Sequence, residues 1–308
     1  MKRIREAIQL LFSRWRLGIS AIHGNRGFVL VAHPRLVFEN LESRLLLSAV
    51  HHDSVPMAPV ANQIAALAIP TFTDVTASIG LDGAGGKVAF GDYNGDGWVD
   101  LYSGNDQLWR NDQGQFSRVT PAPLAGSGLW ADYDNDGYLD LYSFESNRLF
   151  HNVDGSSFEE QGMPSAPNGY RRGAAWGDFN NDGFVDLYGG GYETPEYQPD
   201  FIFLNNQGSA FSPHWVQSGD IDPSRGITAA DYDEDGDLDI YVSNYRLEQN
   251  QLWQNDGHAN FTNIGPTAGV AGVDDGWSYS YGHTIGSAWG DLDSDGHLDL
   301  FVTNFLDE

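Results

Sequence analysis

Apolar and polar positions follow the same pattern five times between residues 71 and 308. Each repeat begins with small and aromatic residues, passes through an acidic stretch, and returns to an alternating apolar run such as Val-Asp-Leu-Tyr. The five segments are AFGDYNGDGWVDLYSGN, LWADYDNDGYLDLYSFE, AWGDFNNDGFVDLYGGG, AADYDEDGDLDIYVSN and AWGDLDSDGHLDLFVTN, which begin at Ala89, Leu129, Ala175, Ala229 and Ala288. Their first aspartates lie 40, 46, 53 and 60 residues apart. This self-similarity predicts a repeat architecture.

A second motif follows each of the first four acidic stretches. It reads QLWRNDQGQF, RLFHNVDGSSF, FIFLNNQGSAF and QLWQNDGHANF: an apolar pair, an asparagine, a glycine-containing turn and a phenylalanine. Two short strands joined by Asn, Asp and Gly turn residues form a β-hairpin. Each repeat then holds four short strands, with the acidic loop between the first two. The pattern predicts an all-β fold, a β-propeller of four-stranded blades of which about five are visible.

The acidic stretches have the ligand spacing of a calcium loop. Numbering from the first aspartate, hard oxygen ligands stand at positions 1, 3, 5 and 9, and glycine at position 6 allows a sharp turn. A divalent ion among them would remove the repulsion between these carboxylates. The side-chain ligands, eighteen carboxylates and two amides, are Asp92, Asn94, Asp96 and Asp100; Asp132, Asp134, Asp136 and Asp140; Asp178, Asn180, Asp182 and Asp186; Asp231, Asp233, Asp235 and Asp239; Asp291, Asp293, Asp295 and Asp299.

Position 7 is variable, which fits a ligand that is a backbone carbonyl. Its residues are Trp98, Tyr138, Phe184, Asp237 and His297. An EF-hand needs a glutamate at position 12, but this position holds Ser103, Ser143, Gly189, Val242 and Val302. The alternative is a set of solvated turns without metal, and five loops with the same ligand positions argue against it. We expect about five calcium ions.

These motifs resemble the FG-GAP/VCBS calcium repeats of the integrin α-subunit propeller. The stretch FTDVTASIGL at Phe72 and the LWRN hairpins resemble bacterial relatives of cartilage acidic protein. The resemblance implies calcium at positions 1, 3, 5, 7 and 9, and a seven-bladed ring. With five loops in this chain, we expect a truncated ring. It would end in an exposed edge after Thr303, or be closed imperfectly by Phe72–Thr76 as the outer strand of the last blade.

Charge divides the chain into two parts. Residues 1–50 carry eight basic and three acidic residues, whereas residues 51–308 carry eight basic and forty acidic residues, so their net charges are +5 and −32. The acidic body disfavours nucleic acid as a partner, because phosphates would be repelled. There are no cysteines, which excludes disulfides and thiolate zinc sites.

The first 70 residues are expected to lie outside the folded domain. No apolar run reaches 18 residues, so no stable membrane span is expected. The segment LESRLLLSA resembles the LEPR-xLL motif of bacterial exported proteins. We interpret residues 1–49 as an export leader cleaved after about residue 49, residues 50–70 as a linker and residues 71–308 as the propeller; an amphipathic helix that packs on a partner is the alternative for the leader.

The expected function is that of a secreted or surface-attached calcium-binding propeller that contacts a protein or glycan. Two insertions, residues 191–201 and 266–283, are candidates for recognition because loops on a rigid scaffold often carry it. Their aromatic residues are Tyr192, Tyr197, Trp277, Tyr279 and Tyr281. No nucleophile motif appears, so we expect no enzyme activity in the chain. The alternatives are a scaffold or accessory module of a polysaccharide-active enzyme, and a purely structural repeat of a longer surface protein.

Overall fold

The fold is built almost entirely of short β-strands. A computed structural model describes residues 19–24, 27–32, 72–104, 106–120, 124–167, 171–193, 196–218, 221–272 and 283–305. The strands are β1 Ile19–Gly24, β2 Gly27–Ala32, β3 Val88–Gly91, β4 Asp100–Ser103, β5 Gln107–Asp112, β6 Gln115–Val119, β7 Gly128–Ala131, β8 Asp140–Ser143, β9 Arg148–Val153, β10 Ser157–Gln161, β11 Arg171–Gly177, β12 Asp186–Gly191, β13 Phe201–Asn205, β14 Phe211–Val216, β15 Ser224–Ala230, β16 Asp239–Asn244, β17 Gln251–Asn255, β18 Phe261–Asn263, β19 His283–Gly290 and β20 Asp299–Phe305. One short helix, α1 Gly265–Ala268, follows β18.

Four sheets are antiparallel meanders that follow the chain order. They comprise β3 to β6, β7 to β10, β11 to β14 and β15 to β18, which we call blades 1 to 4. Each first strand packs on the first strand of the next sheet, so that β3 contacts β7, β7 contacts β11, β11 contacts β15 and β15 contacts β19. Sheets that meet through their first strands form a β-propeller, which confirms the predicted fold class.

Aromatic side chains join neighbouring blades at equivalent positions. Trp130 of blade 2 packs edge-on against Tyr102 of blade 1 at 6.0 Å, and Trp176 of blade 3 packs in the same way on Tyr142 of blade 2 at 5.8 Å. Because such rings bury a large apolar area, they supply much of the cohesion between blades. These tryptophans therefore act as packing residues between blades.

The fifth sheet differs from the prediction. Its strand order is β1, β2, β20, β19, and β2 runs parallel to β20, with Val29 paired to Leu300 and Ala32 paired to Thr303. The expectation that residues 1–70 stay outside the fold is therefore wrong for residues 19–24 and 27–32. β2 supplies hydrogen-bonding partners along the edge of β20, the edge that the sequence left open.

The expected role of Phe72–Thr76 is also wrong. Residues 72–75 form no strand, and a turn begins at Thr76. Phe72 is almost fully exposed. The N–H of Phe116 in β6 instead donates to the carbonyl of Ile79 at 2.7 Å, so this segment contacts blade 1. The edge of β20 in the last sheet, with which this segment was expected to pair, is occupied by β2.

Several expectations fall outside the described residues. These are the LEPR-xLL-like segment at residues 38–50, the linker at residues 50–70, and Trp277, Tyr279 and Tyr281 in the second insertion. Within the described ranges, no helix has the length and apolar character needed to cross a membrane.

Residues at the two ends of the row of blades are more exposed than their equivalents inside it. Phe90 stands in blade 1 where Trp130 stands in blade 2, and it is 63% exposed. Phe301 stands in the fifth sheet where Tyr142 stands in blade 2; it is 37% exposed, whereas Tyr142 is fully buried. The contacts between blades are therefore made inside the row and are open at its ends.

This difference provides a matched mutational test of the packing between blades. Trp130→Ala should lower the free energy of unfolding by about 3 kcal/mol, because it removes a ring packed on Tyr93, Tyr102 and Phe158. Phe90→Ala at the equivalent position should cost less than about 0.5 kcal/mol. Urea unfolding followed by tryptophan fluorescence and circular dichroism measures both. Equal losses would show that the exposed face of β3 is covered in solution.

Candidate metal loops

Five loops share one hydrogen-bonding frame, and we number them 1 to 5 along the chain. In loop 1, Asp92 accepts hydrogen bonds from the N–H groups of Asp96 at 3.1 Å and Gly97 at 2.8 Å. The same pair of bonds recurs at Asp132, Asp178, Asp231 and Asp291. The position 1 carboxylate therefore holds the turn in a fixed shape in every repeat.

Backbone conformation explains the glycine at position 6. Its φ lies between 89° and 97° in the five loops, a region that favours glycine. Position 4 is also left-handed, with φ between 58° and 68° at Gly95, Asn135, Asn181, Glu234 and Ser294. Sequence reasoning identified position 6 but missed position 4, where the small polar side chains in three of the loops were the available signal.

Among the predicted side-chain ligands at positions 1, 3, 5 and 9, the aspartates at position 9 are the buried ones. Asp140 is fully buried and accepts from the N–H of Tyr133 at 3.1 Å and the N–H of Asn152 at 2.7 Å. Asp100, Asp186 and Asp239 make the same two types of bond. Each of these side chains thus ties its loop to the third strand of its own blade.

Burial raises the pKa of these carboxyl groups. The pKa rises to about 6 for Asp100 and Asp186 and to about 7 for Asp140 and Asp239. The largest cause is desolvation, which the backbone hydrogen bonds oppose and the other loop aspartates reinforce. A cation beside these groups would compensate both the burial and the mutual repulsion.

The loop carboxylates converge as the sequence predicts. Oxygen atoms within 4.8 Å of one another come from Asp132, Asp134 and Asp136 in loop 2, from Asp231, Asp233 and Asp239 in loop 4, and from Asp291, Asp293 and Asp295 in loop 5. In loops 1 and 3, an amide stands at position 3, as Asn94 and Asn180, and its oxygen accepts from the N–H of Asp96 or Asp182 at 3.0 Å. All these donors are oxygens, so the residues fit a hard divalent cation such as calcium.

Position 7 lies next to the position 5 carboxylate. The N–H groups of Trp98, Tyr138, Phe184, Asp237 and His297 each donate to it at 2.9–3.0 Å. The side chain of His297 pairs with Glu234 of loop 4. These side chains are therefore not the common feature of the position, and the use of its carbonyl as a ligand stays a prediction.

A buried asparagine connects each blade to the loop of the preceding blade. The side-chain amide of Asn152 in blade 2 donates to the carbonyl of Tyr93 in loop 1 at 2.7 Å, and Asn205 donates to Tyr133 in loop 2 at 2.7 Å. Asn255 donates to Phe179 in loop 3 at 2.9 Å. The sequence showed this asparagine as a hairpin signal, but its bond to the preceding loop was missed.

The hairpin turns also lie against the preceding loops. A Cβ atom on Gly155 would come within 2.9 Å of Asn94, and one on Gly208 within 2.8 Å of Asp134. Both glycines also have positive φ. The hairpin turn of the next blade thus packs against loop 1 and against loop 2. The contact is so close that only glycine fits at these two turn positions.

One loop has an additional ligand-type side chain that the sequence analysis missed. His151 in β9 lies with Nδ1 3.3 Å from Asp134 Oδ2 and 3.2 Å from Asp140 Oδ1. The sequence did indicate this additional ligand: in the RLFHN hairpin, histidine replaces the arginine, leucine or glutamine of the other repeats.

A different group of side chains lies at the opposite ends of the strands. The guanidinium of Arg225 lies between the rings of Tyr192 at 4.6 Å and Tyr245 at 4.5 Å, and it pairs with Glu193. Tyr192, a predicted recognition residue, is therefore packed against a cation. Tyr197 is more exposed, and its hydroxyl lies 3.5 Å from Glu248.

The five loops should differ in calcium affinity, because they differ in the contacts that they receive from the next blade. Among the described residues, no side-chain amide reaches Leu292 of loop 5, which is 58% exposed, whereas the equivalent Tyr133 of loop 2 is buried. We expect loop 5 to bind calcium most weakly. Asp132→Asn should remove about 2.7 kcal/mol of stabilisation at calcium 100-fold above Kd, and Asp291→Asn less than about 1 kcal/mol. Calcium titration by calorimetry, with thermal unfolding of both variants, checks this; equal losses would contradict it.

Comparison with known proteins agrees with this geometry. The sequence profile of the FG-GAP-like repeat matches residues 92–143, 132–189 and 231–302, more than half of the chain. No curated protein sequence matches.

Among solved structures, an Agrocybe aegerita lectin that recognises non-reducing terminal N-acetylglucosamine is similar over 68% of this chain and 58% of the lectin chain, with 16% identity and a TM-score of 0.45. The Photorhabdus luminescens Tc holotoxin pore is similar over 63% of this chain and 9% of its own, with 19% identity and a TM-score of 0.35. The chain thus spans less than two thirds of each of these two structures. With the repeated loops and four-stranded blades, the profile match shows that the chain belongs to the FG-GAP-like repeat family.

Proposed function

We propose that the chain is an extracellular calcium-binding propeller that mediates adhesion or binds a protein or glycan. The observation that carries the calcium part is the hydrogen-bonding frame common to the five loops, together with the carboxylates that converge in loops 2, 4 and 5. Positions 1, 3, 5 and 9 would hold the ion with their side chains, and position 7 with its carbonyl. Bound calcium would neutralise the clustered carboxylates and fix each loop between two strands.

An extracellular location follows from the same chemistry. Extracellular calcium modules bind with Kd values of about 10⁻⁴–10⁻³ M, which suits loops that are largely exposed to solvent. The leader-like N-terminus supports export. Cleavage after about residue 49 would remove β1 and β2 from the fifth sheet. The mature N-terminus of exported protein, measured by mass spectrometry, tests the location and the cleavage together.

The edge opposite the metal loops is the proposed recognition surface. Loops between the second and third strands emerge there, including residues 191–201, and Tyr197 and Arg246 are exposed on it. Exposed tyrosine and arginine side chains are typical of binding surfaces. We propose no catalytic role for the chain, with a scaffold or accessory role in a polysaccharide-active enzyme as the alternative.

Two measurements test the proposal. Metal analysis of the full chain after dialysis against calcium should find about five ions per chain. A glycan array and a pull-down from the producing cell's surface, each with calcium and with a chelator, should show calcium-dependent binding that Tyr197→Ala or Arg246→Ala weakens. Absence of bound calcium would refute the calcium function, and release of sugar from a polysaccharide would favour the enzyme alternative.

A further inference from the structure

In loop 2, unlike the other loops among the described residues, an imidazole reaches the carboxylates at two ligand positions, 3 and 9. His151 lies on β9, the third strand of blade 2, and its side chain is largely buried beside the fully buried Asp140. The ligand atoms of Asp134, Asp140 and His151 all lie within 4.8 Å of one another. None of the equivalent residues Arg110, Leu204 and Gln254 is a histidine, so loop 2 has a distinct donor set.

The repeats provide an internal comparison for this residue. The residue before the conserved hairpin asparagine is His151 in blade 2 and Gln254 in blade 4, and both contact the position 3 aspartate of their own loop. Gln254 Nε2 donates to Asp233 Oδ2 at 2.7 Å, and His151 Nδ1 lies 3.3 Å from Asp134 Oδ2. Blades 1 and 3 have Arg110 and Leu204 at this point, with asparagine at position 3 of the loop. The third strand therefore places one side chain beside the loop, and its chemistry changes from repeat to repeat.

We propose that His151 makes loop 2 a mixed nitrogen and oxygen site that prefers a zinc-type divalent ion, while the other loops keep the oxygen donors that suit calcium. The inference deepens the proposed function and rests on it for the other four loops. Imidazole suits zinc and neighbouring transition metals, whereas calcium prefers oxygen donors. His151, Asp134 and Asp140 would supply three protein ligands.

Two of the three separations between donor atoms fit such an ion. In a tetrahedron with bonds of about 2.0–2.1 Å, ligand atoms stand about 3.3 Å apart. The two separations from His151 Nδ1 to Asp134 and Asp140 are 3.3 Å and 3.2 Å. Asp140 Oδ1 also accepts from the N–H of Asn152 at 2.7 Å, which fixes the orientation of this ligand.

The experiment counts zinc on the full chain in the presence of excess calcium. The protein is loaded with calcium, exposed to zinc, separated by gel filtration and analysed for both metals. We expect about one zinc ion per chain in the unmodified protein and at least a tenfold lower retention in His151→Gln. His214→Gln is the matched control, because His214 on β14 contacts the backbone carbonyl of Ala259 and belongs to no metal loop; its zinc content should stay unchanged.

A gain-of-site variant makes the test sharper. Gln254→His should raise the zinc content to about two ions per chain, because it places an imidazole beside Asp233 in loop 4. Cobalt as a probe should give a visible absorption band that the His151→Gln variant loses. Equal zinc content in the unmodified protein and His151→Gln, or no zinc in either, would overturn the inference. Calcium content and calcium-dependent unfolding are read in the same samples, so failure of the calcium function is seen separately.

Discussion

Calcium is expected to raise the midpoint of thermal unfolding by at least about 10 °C, and a chelator should reverse the shift. Each site held at 100 times its Kd contributes about 2.7 kcal/mol, because the ion binds the folded loop and not the unfolded chain. For a domain of about 150–250 residues, 1 kcal/mol corresponds to about 2–4 °C, so two occupied sites already suffice. Calcium is expected to have this large effect because the loop carboxylates repel one another when no cation lies between them.

Magnesium and a variant outside the loops control this experiment. Magnesium at the same concentration should give less than about a third of the shift, since it requires near-octahedral geometry at 2.0–2.1 Å and retains its waters. Asp200 is fully buried and accepts from Tyr188, Gly191 and Ser224, but it belongs to no metal loop. Asp200→Asn should lower the midpoint with and without calcium alike. Superimposable melting curves of the unmodified protein in calcium and chelator would refute the calcium sites.

The pH dependence of stability is expected to change sign when calcium is added. Without metal, four of the position 9 aspartates have folded-state pKa values of about 6 to 7, raised above the ordinary value of 3.8: Asp100, Asp140, Asp186 and Asp239. The folded state then holds more protons than the unfolded state between about pH 4 and pH 7. Their contribution to stability is fully present below pH 3.8 and is lost as the pH rises through 6 to 7. The metal-free protein should therefore melt at a lower temperature at pH 7.5 than at pH 5, by about 5 °C or more.

With calcium, the order of the melting temperatures at pH 5 and pH 7.5 reverses, because the ion binds the ionised carboxylates and competes with protons. The loaded protein should melt at a higher temperature at pH 7.5 than at pH 5. Calorimetry on protein stripped over a chelating resin, with and without added calcium, measures both series. Asp140→Asn and Asp239→Asn should flatten the metal-free slope, since each removes a group with a pKa of about 7. A metal-free midpoint that rises with pH would contradict the account.

Local pattern was sufficient to predict the loops and most strands. The positions of Asp132, Asp134, Asp136 and Asp140 come from spacing within nine residues, and the structure gives each the expected neighbours. The hairpin predicted at QLWRNDQGQF corresponds to β5 and β6. Such features depend on backbone periodicity and turn chemistry, which a short window of sequence contains.

Contacts between distant segments were not predictable in the same way. The bond from Asn152 to Tyr93 joins residues 59 positions apart, and the sequence shows only an asparagine in a turn. The approach of His151 to loop 2 depends on the register between β8 and β9. The pairing of β2 with β20 has no local signal, because the β-branched stretch FVLV could pair with any open edge. Residues 72–76 resembled a fourth strand in composition, but the edge of β20 is paired with β2 instead.

The parallel pairing of β2 with β20 has a consequence for the order in which the chain folds. Val29 meets Leu300, so the last partner of the N-terminal strands is synthesised about 270 residues after them. At about 5–20 residues per second, these strands wait roughly 14–54 seconds for their edge. Blades 1 to 4 can each close from neighbouring strands during that time, whereas the fifth sheet can only be completed last. An apolar hairpin is meanwhile available to wrong partners, and faster synthesis or a bound chaperone would shorten or cover that exposure.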